Sequence, residues 1–198
     1  MKGNHEVYNT YPLDYFNSLE KEYGSGHNFG PSHKRKWPDI KVTVGKYHGT
    51  PVKVGIRSTR MKVLIQNPKC VCCGFKGTYW SVEREWSGKN PPNDIGWHAN
   101  MYGLYHNVPI MLTHDHKIPK SVGGSNGVNN GQTLCTICNG LKGNDTKMTW
   151  LKLRLLHHFY IKMKFPPVMS KNRCKRYFAF YKAMSNWVRT WPSIGKAI

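Results

Sequence analysis

The chain has 198 residues, 39% hydrophobic and 13% aromatic, and thirty Lys+Arg against ten Asp+Glu give it a formal charge of +20 at pH 7. The aromatic content excludes a disordered basic tail, the length limits it to one domain with extensions or two small ones, and the charge points to a polyanionic partner whose counterions Lys and Arg displace. No apolar run approaches the roughly 18 residues of a membrane span and residues 1–6 show no apolar stretch of a secretory signal, so a cytoplasmic protein without membrane contact is expected, in which paired cysteines read as metal ligands rather than disulfides.

In chain order, residues 1–66 read as an N-terminal extension. Residues 14–22 predict a short helix with Asp14 as N-cap, stopped at Gly24. Residues 26–38 are loop-like and carry Lys34, Arg35 and Lys36, candidate phosphate contacts. Residues 41–44 and 52–56 alternate with period two around 48–51, which predicts a β-hairpin. Residues 67–145 hold the chemistry: strands at 78–85 and 109–113, separated by a turn-rich insertion at 87–96 and an aromatic stretch ending near His106. Residues 146–198 predict a basic two-helix arm. Leu151, Leu155 and Phe159, widened by Leu156, Tyr160 and Met163, form the first apolar stripe, which Pro166-Pro167 ends. Tyr177, Tyr181, Met184, Val188 and Trp191 form the second, closed by Pro192. From Asp145 onward twelve Lys+Arg accompany that single acid, and Lys171, Arg173, Lys175 and Arg176 are further candidates for DNA contact.

Two Cys-x-x-Cys pairs, Cys70/Cys73 and Cys135/Cys138, frame the central segment. Four thiolates hold zinc tetrahedrally, and a two-residue spacer lets one loop supply two of them. Cys72 is a spare thiol expected to point away, and Cys174 is remote. The 61 residues between Cys73 and Cys135 far exceed the about 15–20 of a compact zinc ribbon, so they form a functional insert. His98 and His106, inside it, are lesser candidates for the same ion.

Just before the second pair runs Thr113-His114-Asp115-His116-Lys117-Ile118-Pro119, followed by Gly123-Gly124 and Asn130, with Asn139 directly after Cys138. A carboxylate within a phosphate-binding surface repels its substrate unless a cation lies between, so Asp115 reads as a ligand of a hard divalent metal. His116 beside it can act as general base, because imidazole titrates near neutral pH.

The run from Asp115 through Pro119, Gly123-Gly124, Asn130 and Leu134-Cys135-x-x-Cys138-Asn139 resembles the HNH endonuclease motif, or ββα-metal nuclease, of phage and homing endonucleases. The resemblance spans roughly residues 68–145. It implies an α+β fold: a ββα-metal core with a structural four-cysteine zinc site, an N-terminal β-hairpin extension and a C-terminal helical arm. The hairpin's first strand would end at 114–116 and a helix would start around 136–139. It also implies His116 as the general base, Asn130 as the residue fixing the loop, and Asp115 and Asn139 as ligands of a catalytic Mg²⁺ or similar divalent ion. A shifted frame with His114 as base and Thr113 in the acid's place stays open. Lys142, one turn beyond Asn139, would contact phosphate or offset transition-state charge, or else be an exposed solubilising residue. The expected activity is metal-dependent hydrolysis of phosphodiesters in double-stranded DNA by a monomer or weak dimer. The alternatives are a zinc-stabilised nucleic-acid-binding module without catalysis, or a nuclease subunit active only in a packaging or repair complex.

Overall fold

The computed structural model describes residues 4–24, 41–56, 58–86, 96–143 and 149–162. Both basic clusters (34–36 and 171–176), the 26–38 loop, nearly all of the 87–96 insertion, Cys174 and the second C-terminal helix lie outside the described residues.

The chain enters as strand β1 (Asn4–Pro12), which passes without a loop into helix α1 (Leu13–Gly24). Asp14 therefore sits in the first turn rather than at the N-cap as expected. Its carboxylate still opposes the positive end of the helix dipole. The expected hairpin is present as β2 (Lys41–Tyr47) and β3 (Thr50–Gly55), turning at His48-Gly49. Helix α2 (Thr59–Gln66) has no counterpart among the expected elements. Ser58 caps it, its Oγ accepting from the Met61 N–H at 3.1 Å.

Four strands follow: β4 (Tyr79–Trp86), β5 (His98–Tyr105), β6 (Val108–His116) and β7 (Gly131–Cys135). The 61-residue insert between the cysteine pairs thus supplies most of a sheet. With β1 it forms one antiparallel five-stranded sheet ordered β1-β4-β5-β6-β7. The β5–β6 turn is two residues long, with His106 and Asn107 both at positive φ, the form that matches strand twist. Helix α3 (Thr136–Lys142) leaves β7 directly, and α4 (Trp150–Lys162) completes the described chain. None of these helices is long and apolar enough to cross a membrane.

Two apolar clusters hold the elements. One gathers Phe16 of α1, Val52 and Val54 of β3, Met61 and Leu64 of α2, and Trp80, Val82, Ala99, Met101 and Leu112 of the sheet. Residues on both sides of position 66 thus share one sheet and one core. The other packs Leu134, Ile137 and Leu141 with Leu153 and Leu156 of α4 around the cysteines. Each such buried aliphatic side chain contributes about 1.5–3 kcal/mol. Arg154 ties α4 to the first cysteine loop, its Nε donating to the Cys72 carbonyl at 3.0 Å.

Candidate active site and thiol cluster

The β6–β7 register sets the site. Directly opposed pairs are Thr113↔Leu134, His114↔Thr133, Asp115↔Gln132 and His116↔Gly131. Alternation along a strand puts Thr113 and Asp115 on one face, His114 and His116 on the other. α3 lies against the first face. Asn139 and Lys142, three residues apart on that helix, point the same way and meet those two side chains. Asn139 Nδ2 donates to Thr113 Oγ1 at 3.0 Å. Lys142 Nζ lies 3.1 Å from Asp115 Oδ1, 3.0 Å from Oδ2 and 3.2 Å from the His116 carbonyl.

Lys142 is only 7% exposed, so a solubilising surface role is excluded. Gln132 Nε2 donates to Asp115 Oδ2 at 2.6 Å. The Asp115 carboxylate is thereby buried, neutralised by an ammonium and hydrogen-bonded on both oxygens, as a buried charge requires. It opens on a cleft of about 290 Å³ that His116, Pro119, Lys120, Ser121, Lys142 and Gly143 also line.

The structure thus brings Asp115, His116 and Lys142 together. Asn139 does not line the cleft; it sits one turn back along the same strand–helix contact. His116 is among the residues that line the cleft, and its ring buries Nε2 without a partner. His114 also buries an unpartnered Nε2, its ring 4.8 Å from that of His116. Burial, then the neighbouring His116, hold the His114 imidazole below its usual pKa. In the shifted frame the base would lie outside this cleft, and Thr113 Oγ1 would already be bonded to Asn139 and to the Leu134 carbonyl.

Asn130 clamps the connecting loop. Its Oδ1 accepts from the Ile118 N–H at 2.9 Å, its Nδ2 donates to the carbonyls of Ile118 (3.0 Å) and Ser125 (2.8 Å), and its own carbonyl accepts from the Lys117 N–H at 2.8 Å. The clamp needs Gly124, because a Cβ there would stand 1.8 Å from the Ile118 carbonyl oxygen. Gly124→Ala is expected to cost about 1–3 kcal/mol, as overpacking does, and to speed hydrogen exchange at the Ile118 amide. Unchanged exchange would exclude the clamp.

Gln132 was not foreseen from the sequence and becomes visible only through the strand register. Thr113, weighed only in the acid's place, instead accepts from Asn139. Arg60 of α2, also unforeseen, belongs to a separate polar network. The β5–β6 ladder ends at Met101↔Leu112, and Arg60 Nη1 donates to the Ala99 carbonyl just beyond, at 2.9 Å. Its Nη2 donates to the Asn100 side chain, which in turn donates to the buried Glu83 carboxylate. Ser81 Oγ and Tyr102 Oη donate to Glu83 as well, at 3.1 and 2.7 Å. Burial pulls the Arg60 guanidinium below its ordinary pKa.

The second centre is the thiol cluster. The Sγ atoms of Cys70, Cys73, Cys135 and Cys138 all lie within 4.8 Å of one another. A tetrahedron of metal–sulfur bonds near 2.3 Å has sulfur–sulfur edges of about 3.8 Å. Cys73 and Cys135 stand 3.8 Å apart. The cluster can therefore hold a metal ion such as zinc, and neither His98 nor His106 belongs to it.

Four thiols this close cannot all ionise without a cation. Hydrogen bonds from Cys135 and then Cys138 lower the Cys70 thiol to about 6, and the same two lower Cys73. Neighbouring thiols, Cys135 first, push Cys138 up. Cys72 is outside the four, as expected of a spare thiol. It is buried in the apolar cluster rather than turned out, because Arg154 and α4 close over its loop.

Residues 105–145 match the family model described as HNH endonuclease. The match takes in β6, the clamped loop, β7, α3 and the second cysteine pair, and it starts after the first pair. No curated protein and no solved structure matches the chain. The family described is one of nucleases, and the match covers 41 of the 198 residues.

Proposed function

We propose that the HNH segment is the catalytic centre of a metal-dependent endonuclease that hydrolyses phosphodiester bonds in double-stranded DNA. The observation that carries the reading is the one cleft that Asp115, His116, Lys120 and Lys142 line together. β6, β7 and α3 follow one another as a ββα-metal core would, and zinc at Cys70, Cys73, Cys135 and Cys138 would fix where α3 starts.

Asp115 offers hard-oxygen donors suited to Mg²⁺ or Mn²⁺, and Asn139, bonded to Thr113 outside the cleft, would join it only after its side chain shifts. The position beside Asp115 already demands a cation, and Lys142 meets that demand. A divalent ion bound there would neutralise charge on the phosphate and on the departing oxygen.

The chain's own residues do the rest. Lys120 and Lys142 draw the phosphate into the cleft. Asn130 holds the loop, and hence the His116 ring, in place. His116 takes a proton from water as the oxygen attacks phosphorus in line with the 3′-oxygen, which leaves and takes a proton from solvent. The products carry 5′-phosphate and 3′-hydroxyl ends. Residues 67–145 would form the nuclease domain. The 1–66 segment is fused to its sheet through β1, and 146–198 adds the basic arm. That layout suits a free-standing phage or homing type.

One observation favours a second reading. Asp115 is fully engaged by Lys142 and Gln132, as it would be in a zinc-stabilised binding module without catalysis. Supercoiled plasmid incubated with the zinc-loaded protein in Mg²⁺, in Mn²⁺ or with neither ion added separates the two. Relaxed or linear DNA that forms with either ion and not without one establishes the nuclease. Binding without cleavage in every buffer establishes the module.

A further inference from the structure

The loop between β6 and β7 carries two apolar side chains outward. Ile118 is 57% exposed and Val122 58%. They bracket Pro119, Lys120 and Ser121, which line the catalytic cleft. Isolated exposed aliphatics are ordinary on a protein surface. These two differ in how they are held.

Both backbone groups of Ile118 are bonded to the Asn130 side chain, and Gly124 packs against its carbonyl. The Val122 N–H closes a 3-10 turn on the Pro119 carbonyl at 3.1 Å. The loop backbone that carries both side chains is thus held in place. Lys117 and Lys120, both exposed, alternate with them. The rim therefore reads cation, aliphatic, cation, aliphatic. A partner must offer negative charge and apolar surface in the same short span. A base-pair step between two phosphates does so, and apolar wedges enter such steps from the minor groove.

We propose that Ile118 and Val122 form a wedge that enters the minor groove beside the phosphate held in the cleft and partly unstacks one base step. The location of that phosphate rests on the nuclease reading above. Selection would then act through deformability: steps that open cheaply, such as TA and CA/TG, are favoured without any base-specific hydrogen bond.

The test uses the full zinc-loaded chain with no Mg²⁺ or Mn²⁺ added, so that binding is read without cleavage, on short duplexes with 2-aminopurine placed at each position through one TA step. The wild type is expected to raise probe fluorescence severalfold at that step. The double variant Ile118→Ser/Val122→Ser should lose the rise while its affinity stays within about threefold, because phosphate contacts carry most of the binding. Ile118→Leu/Val122→Ile should keep it. In Mg²⁺ the serine variant should cut a matched duplex about tenfold more slowly, and a mismatch at the step should restore the rate, tenfold being about 1.4 kcal/mol of opening cost.

The proposal is overturned if the serine variant gives the wild-type rise, or if the wild type binds with no rise at any position. It is overturned equally if the serine variant changes only the sedimentation of the protein, which would make the patch a contact between copies. A wild type that unstacks the step yet never cuts in Mg²⁺ or Mn²⁺ sinks the nuclease reading alone and leaves the wedge standing.

Discussion

His116→Ala is expected to slow plasmid cleavage by about 10³-fold, within the range general-base loss produces, with duplex affinity unchanged within a factor of about two. That factor in rate is about 4 kcal/mol of transition-state stabilisation. The size follows from the geometry. His116 is the histidine that lines the cleft, and its carbonyl accepts from the Lys142 ammonium. Removing the ring leaves Asp115, Lys142 and the loop clamp intact. Affinity resides in lysines and arginines elsewhere, so binding should survive. Single-turnover cleavage and filter binding on the same preparation separate the two quantities. His114→Ala serves as the internal control, because His114 lies outside the cleft, packed near Gly131, where a Cβ would stand 2.8 Å from its Nε2. A smaller loss, under about tenfold, is expected there. If His114→Ala proved the more damaging, or if His116→Ala lost binding and cleavage together, the assignment of the base would fall.

The parts of this site that were legible in the sequence are those whose chemistry forces a spacing. Two thiolates from one loop need two residues between them, so the four-cysteine cluster could be read directly. α3 spans Thr136–Lys142, where the expected helix start and the apolar Leu141 place it. The β2–β3 hairpin was legible because period-two alternation is a local signal. β1 was not: Asn4–Pro12 is mostly polar, with its register shifting between Val7 and Asn9, and it is a strand only because β4 lies alongside it. α2 is short and rich in residues that also suit strands, and packing on β6 and β7 decides its conformation.

The same distinction runs through the catalytic side chains. That Asp115 needs a cation follows from charge alone. That Lys142 supplies it depends on α3 lying across β6, which no local pattern in residues 136–142 reveals. Gln132 reaches Asp115 because β7 pairs with β6 in one register; a slip of one residue would turn it to the other face. Arg60, 55 residues upstream of Asp115, bonds the Ala99 carbonyl and the Asn100 side chain where the β5–β6 ladder has ended. Long-range register, not residue type, is what the sequence leaves unread.

Cys135→Ser is expected to abolish metal binding and to unfold the half of the molecule built on α3 and α4. Cys135 has two roles. It belongs to the thiol cluster, and it caps α3, its Sγ accepting from the Cys138 N–H at 3.4 Å. Serine is the better cap, so this substitution keeps the helix start and removes the ligand. What is lost is therefore the metal's share of folding free energy, on the order of 10 kcal/mol, comparable to the whole stability of a typical domain. The apolar cluster around Cys135 and Cys138 cannot make up the difference, because its buried aliphatic members, Ile110, Leu134, Ile137, Leu141, Leu153 and Leu156, are few and packed around the thiols themselves. Lys142 would lose its hold on Asp115 at the same time, so cleavage should fail with the fold. Cys72→Ala is the matched control. That thiol is equally buried but outside the four, and its loss should cost about 1 kcal/mol and leave one zinc per chain. Zinc stoichiometry by mass spectrometry, thermal melting and helical circular dichroism measure the outcome, with chelator-treated wild type expected to mimic Cys135→Ser. A Cys135→Ser protein that melts like the wild type and holds no zinc would show that α3 stands without the metal, and the cleft would then need another explanation for its geometry.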